Sequence, residues 1–131
     1  MKDQADRVAQ MAQDHAKAWC DGAPDGIAAL LAEDGTISVN GGEVHAGRAA
    51  IIANAKELLA NFPGLTVRCH ETRHACNRAV FIWTLEGRHA ETGNRVSLPG
   101  WHEWDMNADM QVQHCRGFYD AVDLARQIAG D

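Results

Sequence analysis

Seven histidines and four cysteines carry most of the reactive side chains of this chain. Histidine titrates near neutral pH, so a positioned imidazole can accept or donate a proton. His15 lies on a helical stretch, and His102 lies on a strand-like run between Trp101 and Trp104. Both are candidates for acid-base work. Cys69, His70, His74 and Cys76 form the densest cluster of metal-ligand types. On a regular strand His70, His74 and Cys76 share a face, with the two histidines about 13 Å apart, too far for one ion. Zinc spacing is absent, and no metal is expected. Cys20, Cys69, Cys76 and Cys115 form no C-x-x-C pair and read as reduced, core-filling thiols. No phosphate-binding glycine loop, nucleophile elbow or Ser-His-Asp context occurs. Asp120 precedes Asp123 at a helix start, which fits a cap, with an acid-base role as its other reading.

These groups need elements to hold them. Val8, Met11, Ala12, His15, Ala18 and Trp19 recur at three- and four-residue steps, one face of an amphipathic helix over Asp3 to Cys20. Asp21-Gly22 ends it. Pro24-Asp25 restarts the chain, with Asp25 able to cap a short apolar helix from Ile27 to Leu31. Glu33-Asp34-Gly35 is expected to stop that helix, and Thr36 to Val39 reads as a strand. Asn40-Gly41-Gly42-Glu43 is a hairpin-type turn. A third helix spans Gly47 to Asn61, with Ile51, Ile52, Ala55, Leu58 and Leu59 on its buried side. Strands over 65–76, 79–90, 95–106 and 111–119 follow, separated by turns, which indicates an antiparallel meander. A closing helix begins near Asp120. The order is α-α-β-β-α-β-β-β-β-α, an α+β arrangement with helices on one face of a curved sheet.

The 131 residues are expected to form a single domain, 1–131. The net charge of -6 disfavours nucleic acid and anionic membrane as partners, since both need a basic patch. No apolar run approaches the roughly 20 residues of a membrane span. The polar N-terminus lacks a signal-peptide core, so a cytoplasmic location is expected.

The W-C-D-G-A-P-D-G-I-A-A-L-L-A-E-D-G-T entry, the R-G-F-Y-D-A-V-D-L-A-R-Q exit and the order of elements resemble the nuclear transport factor 2-like superfamily. Within it, the chain is most similar to the SnoaL-like polyketide cyclase and ketosteroid isomerase-like branch. The resemblance implies a cone-shaped curved mixed or antiparallel sheet wrapped around the N-terminal helices. It also implies a deep apolar pocket and a homodimer through the outer face of the sheet. Carried over by position, the isomerase tyrosine falls at His15, its base at Val39 or Asn40, and its second acid near His102. The epoxide-hydrolase aspartate falls at Gly117, with that branch's arginine and second aspartate near Trp83 and Leu85. Some SnoaL-like enzymes place an acid near Asp120. The familiar charged sets are therefore replaced by other residues.

Strand alternation then turns Trp83, Leu85, His102, Trp104, Met106, Cys115, Gly117 and Tyr119 inward, and Glu103 and Asp105 outward. The expected catalytic residues are His102, His15 and Asp120. The expected substrate contacts are Trp19, Val39, Trp83, Leu85, Trp104, Cys115 and Tyr119. The activity expected is cofactor-independent isomerase- or cyclase-like chemistry on a small apolar or aromatic ring-containing molecule. The alternative is a non-catalytic ligand-binding or accessory protein of the same fold.

Overall fold

Asp3 opens the first helix, α1 (Gln4–Cys20), its carboxylate accepting the Asp6 backbone N–H at 2.9 Å. Val8, Ala12, His15, Ala16 and Ala18 form its buried stripe. The computed structural model describes residues 3–131. Gly22, at φ +63°, turns the chain into α2 (Pro24–Ala28). Pro24 supplies the first helical position, where its missing N–H costs nothing. No side chain caps α2, so the cap expected of Asp25 is absent; Asp25 lies inside the first turn.

The entry to the sheet differs from the sequence expectation. The second helix ends at Ala28, and β1 runs from Leu31 to Val39. Glu33-Asp34-Gly35 lies within β1, where the register against β6 shifts between Leu31 and Thr36. Gly35 is needed there, because a β-carbon would meet the Ala32 carbonyl oxygen at 2.9 Å. Asn40 and Gly41, at φ +53° and +70°, then reverse the chain. β2 (His45–Ala46) pairs antiparallel with β1 before α3 (Arg48–Asn61). The Arg48 guanidinium donates to the Leu31 carbonyl at 3.0 Å and ties α3 to the root of β1.

The meander is present as β3 (Thr66–Ala75), β4 (Arg78–Arg88), β5 (Arg95–Met106) and β6 (Val112–Tyr119), all antiparallel neighbours. β6 then lies parallel to β1, giving one curved, unclosed mixed sheet in the order β2-β1-β6-β5-β4-β3. β3 carries a register shift between Cys69 and Glu71. That shift breaks the alternation expected to put His70 and His74 on one face. His70 instead bonds to Thr84 at 2.7 Å, while His74 sits opposite buried Ala79. Asp120 caps the closing helix α4 (Ala121–Ala129).

The core lies between α1, α3 and the concave face of the sheet, where Val8, Leu31, Ile51, Leu65, Phe81 and Trp104 are almost completely buried. Strand β5 alternates throughout its second half. Trp104 and Met106 are buried, whereas Trp101 is 41% exposed. Among the described residues no helix is long and apolar enough to cross a membrane.

Candidate functional site

The concave face of the sheet and helices α1 to α3 enclose a cavity of about 140 Å³. Its walls are overwhelmingly apolar, and no Asp, Glu, Lys or Arg lines it among the described residues. Val39 at the end of β1, Tyr119 at the end of β6 and Leu124 on α4 belong to its rim, where Val39 is half-exposed.

Two histidines stand in this apolar wall. Helical i, i+4 spacing puts His15 and Trp19 on one face of α1, and the Trp19 indole N–H donates to His15 Nε2 at 3.2 Å. The His15 ring lies 5.7 Å from the His102 ring, centre to centre. Phe81 and Trp104 both stand edge-on to His15, at 6.3 and 6.4 Å. Phe81 and Trp83 meet His102 edge-on at 5.6 and 5.7 Å. Aromatic edges and faces hold the rings without supplying charge. Burial pushes His15 down to about 3, with the nearby His102 as a second cause, and pushes His102 down to about 4. Both imidazoles are therefore neutral at pH 7. Burial also pushes the Cys115 thiol up to about 12, which keeps it protonated and unreactive.

Two glycines make this packing possible. A β-carbon at Gly117 would stand 3.2 Å from His102 Cδ2 and 3.4 Å from its Nε2. At Gly100, opposite Trp83 in the β4–β5 register, it would stand 2.4 Å from the indole ring. The Trp83 ring thus occupies the space over Gly100 that a side chain would otherwise fill.

The structure brings His15, His102, Trp19, Val39, Trp83, Leu85, Cys115 and Tyr119 to the wall of this one cavity. Trp104 does not line it. That residue is fully buried behind His15 and His102 and belongs to the packing that supports them. Asp120 also lies outside the wall, because its carboxylate accepts the Asp123 N–H at 3.0 Å as the α4 cap. Of the two positions expected for an isomerase base, Val39 lines the cavity and Asn40 has a structural contact instead: its Oδ1 accepts the Tyr119 N–H at 3.0 Å. The sequence reading missed Asn54, which faces the cavity from α3 together with Ile51, Ala55 and Leu58. The signal was available, since 51, 54, 55 and 58 form one helical face. Among the described residues no three metal-ligating side chains cluster.

Residues 12–114 match the family model described as a SnoaL-like domain. No curated protein matches the chain in sequence. Several solved structures share its fold. A candidate SnoaL-like polyketide cyclase from Jannaschia sp. CCS1 is 18% identical, with a TM-score of 0.86 over 100% of this chain and 98% of that one. A hypothetical protein with a ketosteroid isomerase-like fold from Catenulispora acidiphila, in complex with trimethylamine, is 17% identical. Its TM-score is 0.83, over 91% of this chain and 92% of that one. The epoxide hydrolase/cyclase-like enzyme SalBIII, of pyran ring formation in the polyether salinomycin, is 15% identical. It gives a TM-score of 0.80 over 92% and 95% of the two chains.

Proposed function

The chain belongs to the SnoaL-like domain family, and on that premise we propose that it is a cyclase- or isomerase-type enzyme acting without a cofactor on a small, uncharged, ring-containing molecule. The observation that carries this reading is a neutral histidine pair set in a cavity wall without charged side chains. A charged ligand would leave its hydration for walls that offer no counter-ion, a loss of several kcal/mol. A neutral ring loses little and gains about 25 cal/mol for each Å² of apolar surface buried. An apolar cavity of about 150 Å³ is known to take benzene, so the 140 Å³ here suits one ring with small substituents. His102 is the polar group proposed to meet the reacting end of the substrate, with His15 set behind it. Trp19, Trp83, Leu85 and Tyr119 pack its apolar body.

The chain's own substitutions narrow the chemistry. Gly117 holds no carboxylate, and Trp83 and Leu85 hold neither arginine nor aspartate. Epoxide opening by that charged set is therefore not the proposal. Enolisation or aldol-type closure of a ketone, assisted by imidazole, fits the residues present.

The test is a thermal-shift screen of uncharged one- and two-ring ketones, followed by turnover assays on those that stabilise the protein. Turnover should fall by about 10²-fold or more in His102→Ala, the range for loss of a positioned acid-base group. Unchanged turnover in that variant sinks the assignment. The second reading, ligand binding without chemistry, is favoured by the low basicity of His102, pushed down to about 4. Tight binding with no conversion of any bound ketone would select it.

A homodimer through the outer face of the sheet is part of the same proposal. Exposed Trp101 stacks on Phe118 there, ring centres 5.3 Å apart and 23° from coplanar. Sedimentation of the wild type and of Trp101→Asp tests it, a dimer that becomes a monomer being the expected result. Four free cysteines support the cytoplasmic setting.

A further inference from the structure

The two histidines of the cavity are not equivalent, and their hydrogen-bonding states can be worked out nitrogen by nitrogen. His15 Nε2 accepts the Trp19 indole N–H. An indole nitrogen only donates, so this His15 nitrogen carries no proton. The neutral His15 ring must then hold its proton on Nδ1. That atom is buried without a hydrogen-bond partner. His102 Nδ1 is also buried without a partner. These are the two unpartnered buried imidazole nitrogens among the described residues, on rings 5.7 Å apart. A buried donor or acceptor left unpaired is destabilising, and pairing the two Nδ1 atoms with each other would satisfy both at once. For that pairing His15 Nδ1–H donates, so His102 Nδ1 accepts. The proton of neutral His102 is then left on Nε2.

The remaining edge of His102 completes the argument. The ring lines the cavity and keeps some accessible surface, yet Nδ1 has none. What it shows the cavity is the Nε2 side, which lies over Gly117, where no side chain covers it.

We infer that Trp19, His15 and His102 form an ordered relay that fixes His102 as the Nε2–H tautomer and aims one neutral N–H donor into the cavity. In this arrangement His102 is the group that touches the ligand's polar atom. Trp19 and His15 are positioning residues that act through it. The ligand complementary to a neutral N–H donor at this point of an apolar wall offers it an uncharged acceptor, such as a carbonyl or ether oxygen. His102 would polarise that oxygen as a hydrogen-bond donor. This deepens the functional reading above and rests on it for the ligand, but the relay itself can be measured in the free protein.

The experiment is ¹⁵N-detected NMR of histidine-labelled protein at pH 7, which separates protonated from unprotonated ring nitrogens. The expected result is His15 protonated on Nδ1 and His102 protonated on Nε2. In Trp19→Phe, which keeps an aromatic ring and removes the donor, both histidines should become tautomeric mixtures. A His102 protonated on Nδ1 in the wild type overturns the relay, and that measurement needs no variant to fold. Unchanged tautomers in a folded Trp19→Phe overturn it as well. Cyclohexanone then serves as probe of the cavity. It should move the His102 Nε2 resonance and leave Nδ1 nearly unmoved. Correct tautomers without any response at Nε2, even to saturating cyclohexanone, would uphold the relay and reject the cavity as a ketone site.

Discussion

The two faces of the sheet treat polar groups in opposite ways, although alternate residues of the same strands build them. On the convex face Arg116 makes a two-pronged contact with Asp105, at 2.9 and 3.1 Å, and approaches Glu103 at 3.7 Å. Arg78 reaches Asp105 from the neighbouring strand at 3.5 Å. Charge is kept there, and these side chains pair with one another at the surface. On the concave face no charged side chain lines the cavity, and two imidazoles are held neutral beside aromatic rings. One residue of register separates Trp104 from Asp105. The contrast teaches that alternation separates two dielectric environments, and that the inner one decides the protonation state of whatever it encloses.

The sharpest way to break the contrast is to truncate neighbours on β5. Trp104→Ala should cost about 3–5 kcal/mol of stability, because it empties the packing behind both histidines. Asp105→Ala should cost about 1 kcal/mol, as expected for a solvent-screened pair. Urea melts of the two variants measure the difference, and equal losses would erase the distinction between the faces. Next in size is Gly100→Ala, which drives a methyl group into the Trp83 ring. A loss of about 1–3 kcal/mol is expected from overpacking, together with a shift in Trp83 fluorescence.

Acid separates the faces by pH window. His15 and His102 have folded values of about 3 and 4, below the unfolded 6.5. The unfolded chain therefore binds protons that the folded chain refuses. Stability is complete above about pH 6.5 and declines as pH falls toward 4. The Arg116 hydrogen bonds hold the Asp105 carboxyl below its usual range. Its contribution is present above the unfolded carboxylate value of about 3.9 and is lost as pH falls through the lower folded one. Between pH 6.5 and 4.5, His102→Asn should flatten the stability profile, whereas Asp105→Asn should leave its slope unchanged. A wild-type profile that is flat over this interval contradicts the neutral histidine pair.

The smallest effect belongs to Asp120. Asp120→Ala should cost about 1 kcal/mol through loss of the α4 cap and leave ketone binding intact. A loss of turnover greater than tenfold, without matching destabilisation, would return Asp120 to the catalytic candidates.

The element order and the inward turn of His102 were legible because they rest on local patterns, a helical stripe and period-two alternation. The path of β1 was not. Glu33-Asp34-Gly35 has the composition of a helix stop, and only pairing with β6, some 80 residues on, draws it into a strand. His70 was misplaced for a related reason, since a bulge has no reliable signature in one strand alone. For Trp104, alternation gave the face but not the depth. Whether an inward ring lines a cavity or lies beneath another ring depends on what α1 lays across it. The relay was invisible for the same reason. It needs the distance between a helix and a strand that lie more than 80 residues apart in sequence.

Gly117 also constrains which substitutions this chain can accept. A β-carbon there already crowds the His102 ring at 3.2 Å. Positions 102 and 117 are paired directly in the β5–β6 register, so any side chain at 117 makes the imidazole give way by a few tenths of an ångström. The size of residue 117 therefore sets how closely the imidazole can lie against β6, and the two positions are coupled in any substitution.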